Sequence, residues 1–180
     1  AIVVAKGITS GYAPLGAFLA PATLVDPLAQ TTGFVVSHSY DANPIACAAG
    51  SAVLDEVVDR DLVANAARMG VRIGAGLEEI AARCPLVGDV RGRGLLLAIE
   101  LVADPDTLAR FPSDLDPGAV VARRGLDHGL LLYSRRQNAG AFGDWLLIAP
   151  PLVIDEAGCD ELLVGLNASL DDAAVELLAS

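Results

Sequence analysis

The chain has 180 residues, 53% of them hydrophobic and 4% aromatic, and carries a formal net charge of −11. That charge excludes an ordinary nucleic-acid binder, because no basic stripe is present to neutralise phosphates. No apolar run is long enough to cross a bilayer and no signal-peptide pattern is present, while the apolar fraction suffices to build a packed core in one domain or two small ones.

Residues 1–5 are continuously apolar and rich in β-branched side chains. This predicts a strand buried on both faces, as in a parallel sheet covered by helices. Lys6 then falls at the carboxyl end of the strand, where open α/β sheets place ligands and catalytic groups. Gly7, Gly11, Pro14 and Gly16 make the following path tight and irregular, with Thr9, Ser10 and Tyr12 supplying hydroxyls. The segment is not a P-loop, since no GxxxxGK[ST] precedes it. Residues 16–19 read as another short strand and 21–32 as a helix or lid-like connection. Asn43-Pro44 reads as a helix start, with Asn43 as N-cap and Pro44 at the first helical position. Ala48, Val53, Leu54, Val57 and Val58 continue that helix to a break near Asp59 and Asp61. A second helix over residues 62–83 carries Leu62, Ala66, Met69, Ile73, Leu77 and Ile80 at helical spacing. This helix pair leads into a second domain, so the expected division is 1–60 and 61–180.

The second domain reads as α+β. Residues 95–102 predict a largely buried strand with no clean polar face. Asp116-Pro117 opens a helix that Gly129 closes. Residues 130–133 and 145–149 predict two apolar strands, flanking a polar, glycine-containing connection over 134–144. Asp155 caps a final helix through Leu163, Leu166 and Leu170, with Glu156 near its positive end. Arg91 and Arg93 are expected to brace the domain junction, and Trp145 to lie in the core. Cys47, Cys84 and Cys159 are odd in number and widely spaced, which fits neither a disulfide framework nor a metal site and points to a reducing, cytoplasmic setting. His38 and His128 are too few and too far apart for a zinc cluster, so no metal is expected.

Lys6 is the one lysine of the chain; every other basic residue is arginine. A primary amine can lose its proton and condense with a carbonyl, whereas guanidinium stays protonated. The alternative is that a bias against lysine left one survivor, and the neighbourhood of Lys6 favours chemistry. The segment Ala-Lys-Gly-Ile-Thr-Ser-Gly-Tyr-Ala-Pro-Leu-Gly-Ala around Lys6 resembles the cofactor-lysine segment of class III aminotransferases, the pyridoxal-phosphate enzymes of fold type I. Ser37 to Ala49, with Tyr40, Pro44, Cys47 and Ala48, is similar to that family's aromatic-x-x-x-Pro-x-x-Cys-Ala motif. Val87 to Leu95 resembles the strand that opens its C-terminal domain, and Ala149-Pro150-Pro151-Leu152 its closing strand and turn. The four segments occur in the family's order and cover essentially the whole chain.

The resemblance implies an α/β fold comprising the end of the type I large domain and interdomain helix, then a smaller α+β C-terminal domain. It implies that Lys6 binds pyridoxal 5'-phosphate covalently and shuttles protons between substrate and cofactor carbons. Ser39 stands where the family has a threonine whose hydroxyl reaches the cofactor phosphate of the neighbouring subunit, which implies a homodimer with a shared active site; the alternative is a turn serine. His38 lines the same edge or is a plain surface histidine. Arg135 and Arg136 are candidates to grip a substrate carboxylate through a bidentate fork. In many relatives an arginine follows the preceding strand directly, whereas here Tyr133 takes that place and the loop is longer; a solvated pair is the alternative. The implied reaction moves an amino group from an amine or ω-amino acid to a keto acid such as pyruvate. A racemase, aminomutase or decarboxylase on the same fold, and a non-catalytic dimerisation remnant, are the alternatives. The resemblance further implies that the phosphate loop, the ring-stacking aromatic and the aspartate paired with the pyridine nitrogen lie upstream. The chain is therefore expected to be the C-terminal portion of a longer protein, inactive and loosely folded by itself.

Overall fold

In the computed structural model, which describes residues 1–33 and 37–179, the chain divides into two compact units, Ala1–Leu62 and Val63–Ser180. In the first, β1 (Ile2–Ala5) runs into a 3-10 turn at Lys6–Thr9, and β2 (Gly16–Leu19) returns antiparallel beside it, with Ile2 opposite Leu19 and Ala5 opposite Gly16. Residues 1–5 form the expected strand, and among the described residues β2 is its one neighbouring strand, without the covering layers expected of a buried parallel sheet. Within this unit the strand belongs to a two-stranded antiparallel ribbon, and Ile2 and Val3 are 62% and 76% exposed. β-Branched composition favours the pleated backbone, and says nothing about which layers cover it.

The helix α1 (Ala22–Thr32) contains Pro27 and buries none of its residues. The helix α2 (Pro44–Asp59) starts where the sequence places it: the Asn43 side-chain oxygen accepts hydrogen bonds from the amides of Ile45 and Ala46, both at 3.1 Å. These satisfy two donors that a helix N-terminus leaves unpaired. α2 ends at Asp59, and Asp61, at a φ of 49°, turns the chain toward α3 (Leu62–Ala81).

The second unit is built on a four-stranded antiparallel sheet in the order β3-β4-β6-β5, comprising β3 (Val87–Arg93), β4 (Leu96–Leu101), β5 (Tyr133–Arg136) and β6 (Asp144–Ile148). α3, α4 (Pro117–Asp127) and α5 (Glu156–Leu178) complete it. The predicted helical stripe holds: Met69, Ile73, Leu77 and Ile80 of α3 join Leu97, Ile99, Leu146, Ile148, Leu166 and Leu170 in one core. Each fully buried Leu or Ile contributes about 1.5–3 kcal/mol of transfer free energy. Asp116 and Asp155 cap α4 and α5, each accepting a backbone hydrogen bond at 2.9 Å. α3 approaches the β3–β4 turn so closely that a Cβ on Gly70 would lie 2.3 Å from the Gly94 carbonyl oxygen.

Three expectations change. β4 alternates strictly, burying Leu97, Ile99 and Leu101 while Leu96, Ala98 and Glu100 face the other way. Its apolar residues on both faces hide that period in the sequence. The strand expected at 130–133 lies instead at Tyr133–Arg136, because its partner β6 sets the register Tyr133↔Leu147 to Arg136↔Asp144. Trp145 is only partly buried: it shares the sheet face opposite the core with Leu147, between the core-facing Asp144 and Leu146. Among the described residues no helix is long and apolar enough to cross a membrane.

Candidate functional site

Lys6 occupies a backbone conformation that L-residues with side chains seldom adopt, with a φ of 56°. Ser10 and Gly11 follow with φ values of 51° and 83°. A left-handed residue costs about 1–2 kcal/mol, so the surroundings must over-determine the path. They do so from two sides. Thr9 is fully buried and donates its hydroxyl to the Ala13 carbonyl at 2.5 Å, while the amides of Ser10 and Tyr12 bond back to Gly7 and Thr9, both at 3.0 Å. Beneath this turn lies α2, which presents Ala46 and Gly50, one helical turn apart and both buried. A Cβ on Gly50 would come within 2.7 Å of Leu15 Cδ2 and 3.9 Å of the Ile8 carbonyl, so any side chain there would have to push the Leu15 tip aside. The exposed lysine therefore rests on a buried threonine and a small-residue helix face.

Lys6 opens onto a depression of about 690 Å³ lined by Ala5, Gly11, Tyr12 and residues 13–16. The other side of residues 13–16 borders a second depression of about 460 Å³, closed by Tyr40, Asp41, Ala42, Asn43, Ile45 and Ala46. Tyr12 and Tyr40 are 87% and 83% exposed. Ser39 precedes the second depression in a tight turn, where the Asp41 amide donates to the His38 carbonyl at 2.9 Å and the His38 amide donates to Asp41 Oδ2 at 2.8 Å. The Ser39 side chain is exposed and makes no hydrogen bond among the described residues.

The two arginines of the second unit differ in kind. Both lie on β5 and not in the connection where the sequence places them, and strand alternation sends them to opposite sides of the sheet. Arg136, 11% exposed, donates from Nη2 to the carbonyls of Pro112, Ser113 and Ala139 at 2.9–3.2 Å, and its Nη1 faces Asp144 Oδ1 at 3.6 Å. Burial pushes the Asp144 carboxyl above the usual aspartate range, and the Arg136 charge opposes that rise. Arg135 projects on the other face, exposed, with Nη1 donating to the Tyr133 hydroxyl at 3.1 Å. On that same face Arg91 bridges Asp89 of its own strand β3 and Glu100 of the neighbouring β4.

Lys6 and Ser39 thus belong to one unit, Arg135 and Arg136 to the other. Sequence reasoning missed the supporting roles of Thr9 and Gly50; the four-residue spacing of Ala46 and Gly50, behind a proline-started helix, was the available signal. Burial raises the thiol pKa of Cys84 and Cys159, which makes both poor nucleophiles. Among the described residues no group of three His, Cys, Asp or Glu side chains could hold a metal ion.

The family model for class-III aminotransferases matches residues 1–170. The chain is 38% identical to an uncharacterised aminotransferase of Sinorhizobium fredii, across 98% of this chain and 38% of that protein. It is 32% identical to a putrescine–pyruvate aminotransferase of Pseudomonas aeruginosa, across 98% of this chain and 37% of that protein. An amine transaminase from an uncultivated Pseudomonas species, solved in its PLP-bound form, superposes with a TM-score of 0.84 at 31% identity, covering 95% of this chain and 38% of that one. The chain spans less than two fifths of the length of the curated relatives it matches.

Proposed function

This chain belongs to the class-III aminotransferase family, and from that premise we propose that the protein containing it is a pyridoxal-phosphate-dependent transaminase, with Lys6 as its catalytic lysine. In this reading residues 1–60 end the cofactor-binding large domain and residues 61–180 form the small domain. The amino donor is an amine or ω-amino acid and the acceptor a keto acid such as pyruvate, in line with the putrescine–pyruvate relative. The observation that carries the reading is the single lysine, held in a left-handed conformation at a strand end and open to a depression.

The residues present fit pyridoxal phosphate. The exposed amine of Lys6 makes no ion pair among the described residues, and the depression beside it is lined by glycine, alanine, proline and tyrosine with no carboxylate to compete for that amine. When bound, the cofactor supplies an electron sink for the carbon next to the substrate nitrogen. Lys6 Nζ would hold the cofactor and, as the freed amine, would carry a proton from that substrate carbon to a cofactor carbon. The buried Thr9 and the α2 seat fix the backbone from which the Lys6 side chain extends, which limits the geometries it must search. The Ser39 hydroxyl would donate to the cofactor phosphate across a homodimer interface, a role its exposed and unengaged position leaves open. Three free cysteines, two of them buried, accord with a reducing cytoplasm.

The test uses the full-length protein loaded with pyridoxal phosphate and given an amine donor without keto acid. Transamination predicts one equivalent of carbonyl product and conversion of the cofactor to its amine form, with pyruvate then regenerating the starting spectrum. A racemised or decarboxylated donor with unchanged cofactor would replace this reading by another reaction of the fold.

A further inference from the structure

Asp144 is the only buried carboxylate among the described residues, at 1% exposure, and it plays no part in the chemistry proposed for Lys6. It opens β6 at the foot of the 137–143 loop, with Leu101 of β4 opposite it on one side and Arg136 of β5 on the other. Arg136 Nη1 approaches Asp144 Oδ1 only to 3.6 Å, and neither atom has a hydrogen-bond partner among the described residues. Gly140, at a φ of 82°, closes over the pair: a Cβ there would lie 2.8 Å from Arg136 Nη2 and 3.2 Å from Asp144 Oδ2. An ionised carboxylate in this place is sealed from water yet short of donors, a costly state that protonation relieves. Burial accordingly raises the Asp144 pKa, and Asp116 at the start of α4 adds to the rise, while the charges of Arg136 and Arg110 oppose it.

The same two arginines tie the loops beside Asp144 to one another in both directions. Arg136 leaves the foot of the 137–143 loop and donates from Nη2 to the carbonyls of Pro112 and Ser113, at 3.1 and 3.2 Å. Arg110, in the 103–116 loop, donates in return to the Ala141 carbonyl. A further bond from Arg136 Nη2 to the Ala139 carbonyl, at 2.9 Å, holds the 137–143 loop to its own base. Leu108, Asn138 and Ala139 are kept at left-handed φ values of 48–56°, a strained path that persists only while the surroundings impose it. We infer that the 103–116 and 137–143 loops form one strap that opens and closes as a unit, latched by the crossed arginines, and that ionisation of the carboxylate beneath them loosens the latch. The strap is tight while Asp144 carries a proton and slackens as pH rises through its titration, because a group that holds its proton more firmly when buried stabilises the closed form on the acid side. This goes beyond the transaminase reading and does not depend on it.

The test is hydrogen exchange of the full-length protein, followed by mass spectrometry, with rates corrected for the intrinsic pH dependence of exchange. Peptides covering 103–116 and 137–143 should lose protection together between about pH 4.5 and about pH 8, while a peptide around the fully buried Ile73 of α3 keeps its protection. Asp144→Asn, which cannot ionise, should remove that pH dependence. Arg110→Gln, at an exposed position, should lower protection in both segments about tenfold, the scale of a lost hydrogen bond from a charged donor. Release of 137–143 alone in Arg110→Gln would overturn the strap, since the loops would then move independently. Protection of the two segments that ignores pH, or that falls equally in the α3 peptide, would overturn the latch. The wild-type pH series and Arg110→Gln decide both points even if Asp144→Asn fails to fold.

Discussion

The two units of this chain treat their apolar residues in opposite ways. Among the described residues, every buried hydrophobic side chain other than Ala46 and Leu62 belongs to the second unit, where an antiparallel sheet and three helices share one core. The first unit carries the lysine and leaves Ile2, Val3, Phe18, Leu19, Leu24 and Leu28 more than half exposed. Its rigidity is local, concentrated in the Thr9 hydrogen bond and the Gly50 contact under the Lys6 turn. Within this chain the contacts under the Lys6 turn are few and local, whereas the second unit is held by bulk burial.

The largest effect should come from cutting into the bulk. Ile73→Ala, at a fully buried position, should cost about 2–5 kcal/mol in urea unfolding of the chain, whereas Val3→Ala, at 76% exposure, should stay within about 0.5 kcal/mol. Equal costs would erase the contrast. A smaller effect separates the two glycine contacts. At Gly70 an added methyl group meets backbone that cannot turn aside, so Gly70→Ala should cost about 1–3 kcal/mol. At Gly50 it meets the tip of Leu15, which can rotate, so Gly50→Ala should lower the melting temperature less while displacing the Lys6 turn and reducing turnover of the full-length enzyme. Ser39→Ala should weaken pyridoxal phosphate binding to the full-length protein about tenfold by absorbance titration, and Ser39→Thr should restore it.

Titration offers the finest comparison, inside the second unit. A side-chain hydrogen bond and the charge of Arg72 hold Asp160 below the usual aspartate range. Its contribution to stability is present above the unfolded value and lost as pH falls through the depressed one. Asp144 runs the other way: with its pKa raised by burial, its contribution is present below the ordinary aspartate range and lost as pH rises through the raised value. Asp160→Asn should flatten the acid limb of a stability–pH curve, and Asp144→Asn should remove a decline on the other side.

Much of the fold was legible in the chain itself. The helical stripe from Met69 to Ile80, the Asn43, Asp116 and Asp155 caps, and the lysine at a strand end follow from spacing and residue type, which are local. What stayed hidden depends on partners distant in sequence. Residues 1–5 specify a strand but not whether it pairs parallel or antiparallel. Leu130, Leu131 and Leu132 have stronger strand character than Ser134, Arg135 and Arg136, yet pairing with β6 decides where β5 runs. The inward turn of Arg136 depends on carbonyls at Pro112 and Ser113, more than twenty positions away. Thr9 and Gly50 look like ordinary loop and helix residues until α2 comes to rest under the turn.

The role of Lys6 can be tested by borohydride reduction of the full-length protein loaded with pyridoxal phosphate, followed by mass spectrometry of its peptides. A single cofactor adduct is expected on the peptide containing Lys6, and none in Lys6→Ala. An unmodified Lys6 peptide, or an adduct on any other residue, would refute the assignment of Lys6 as the cofactor-binding amine.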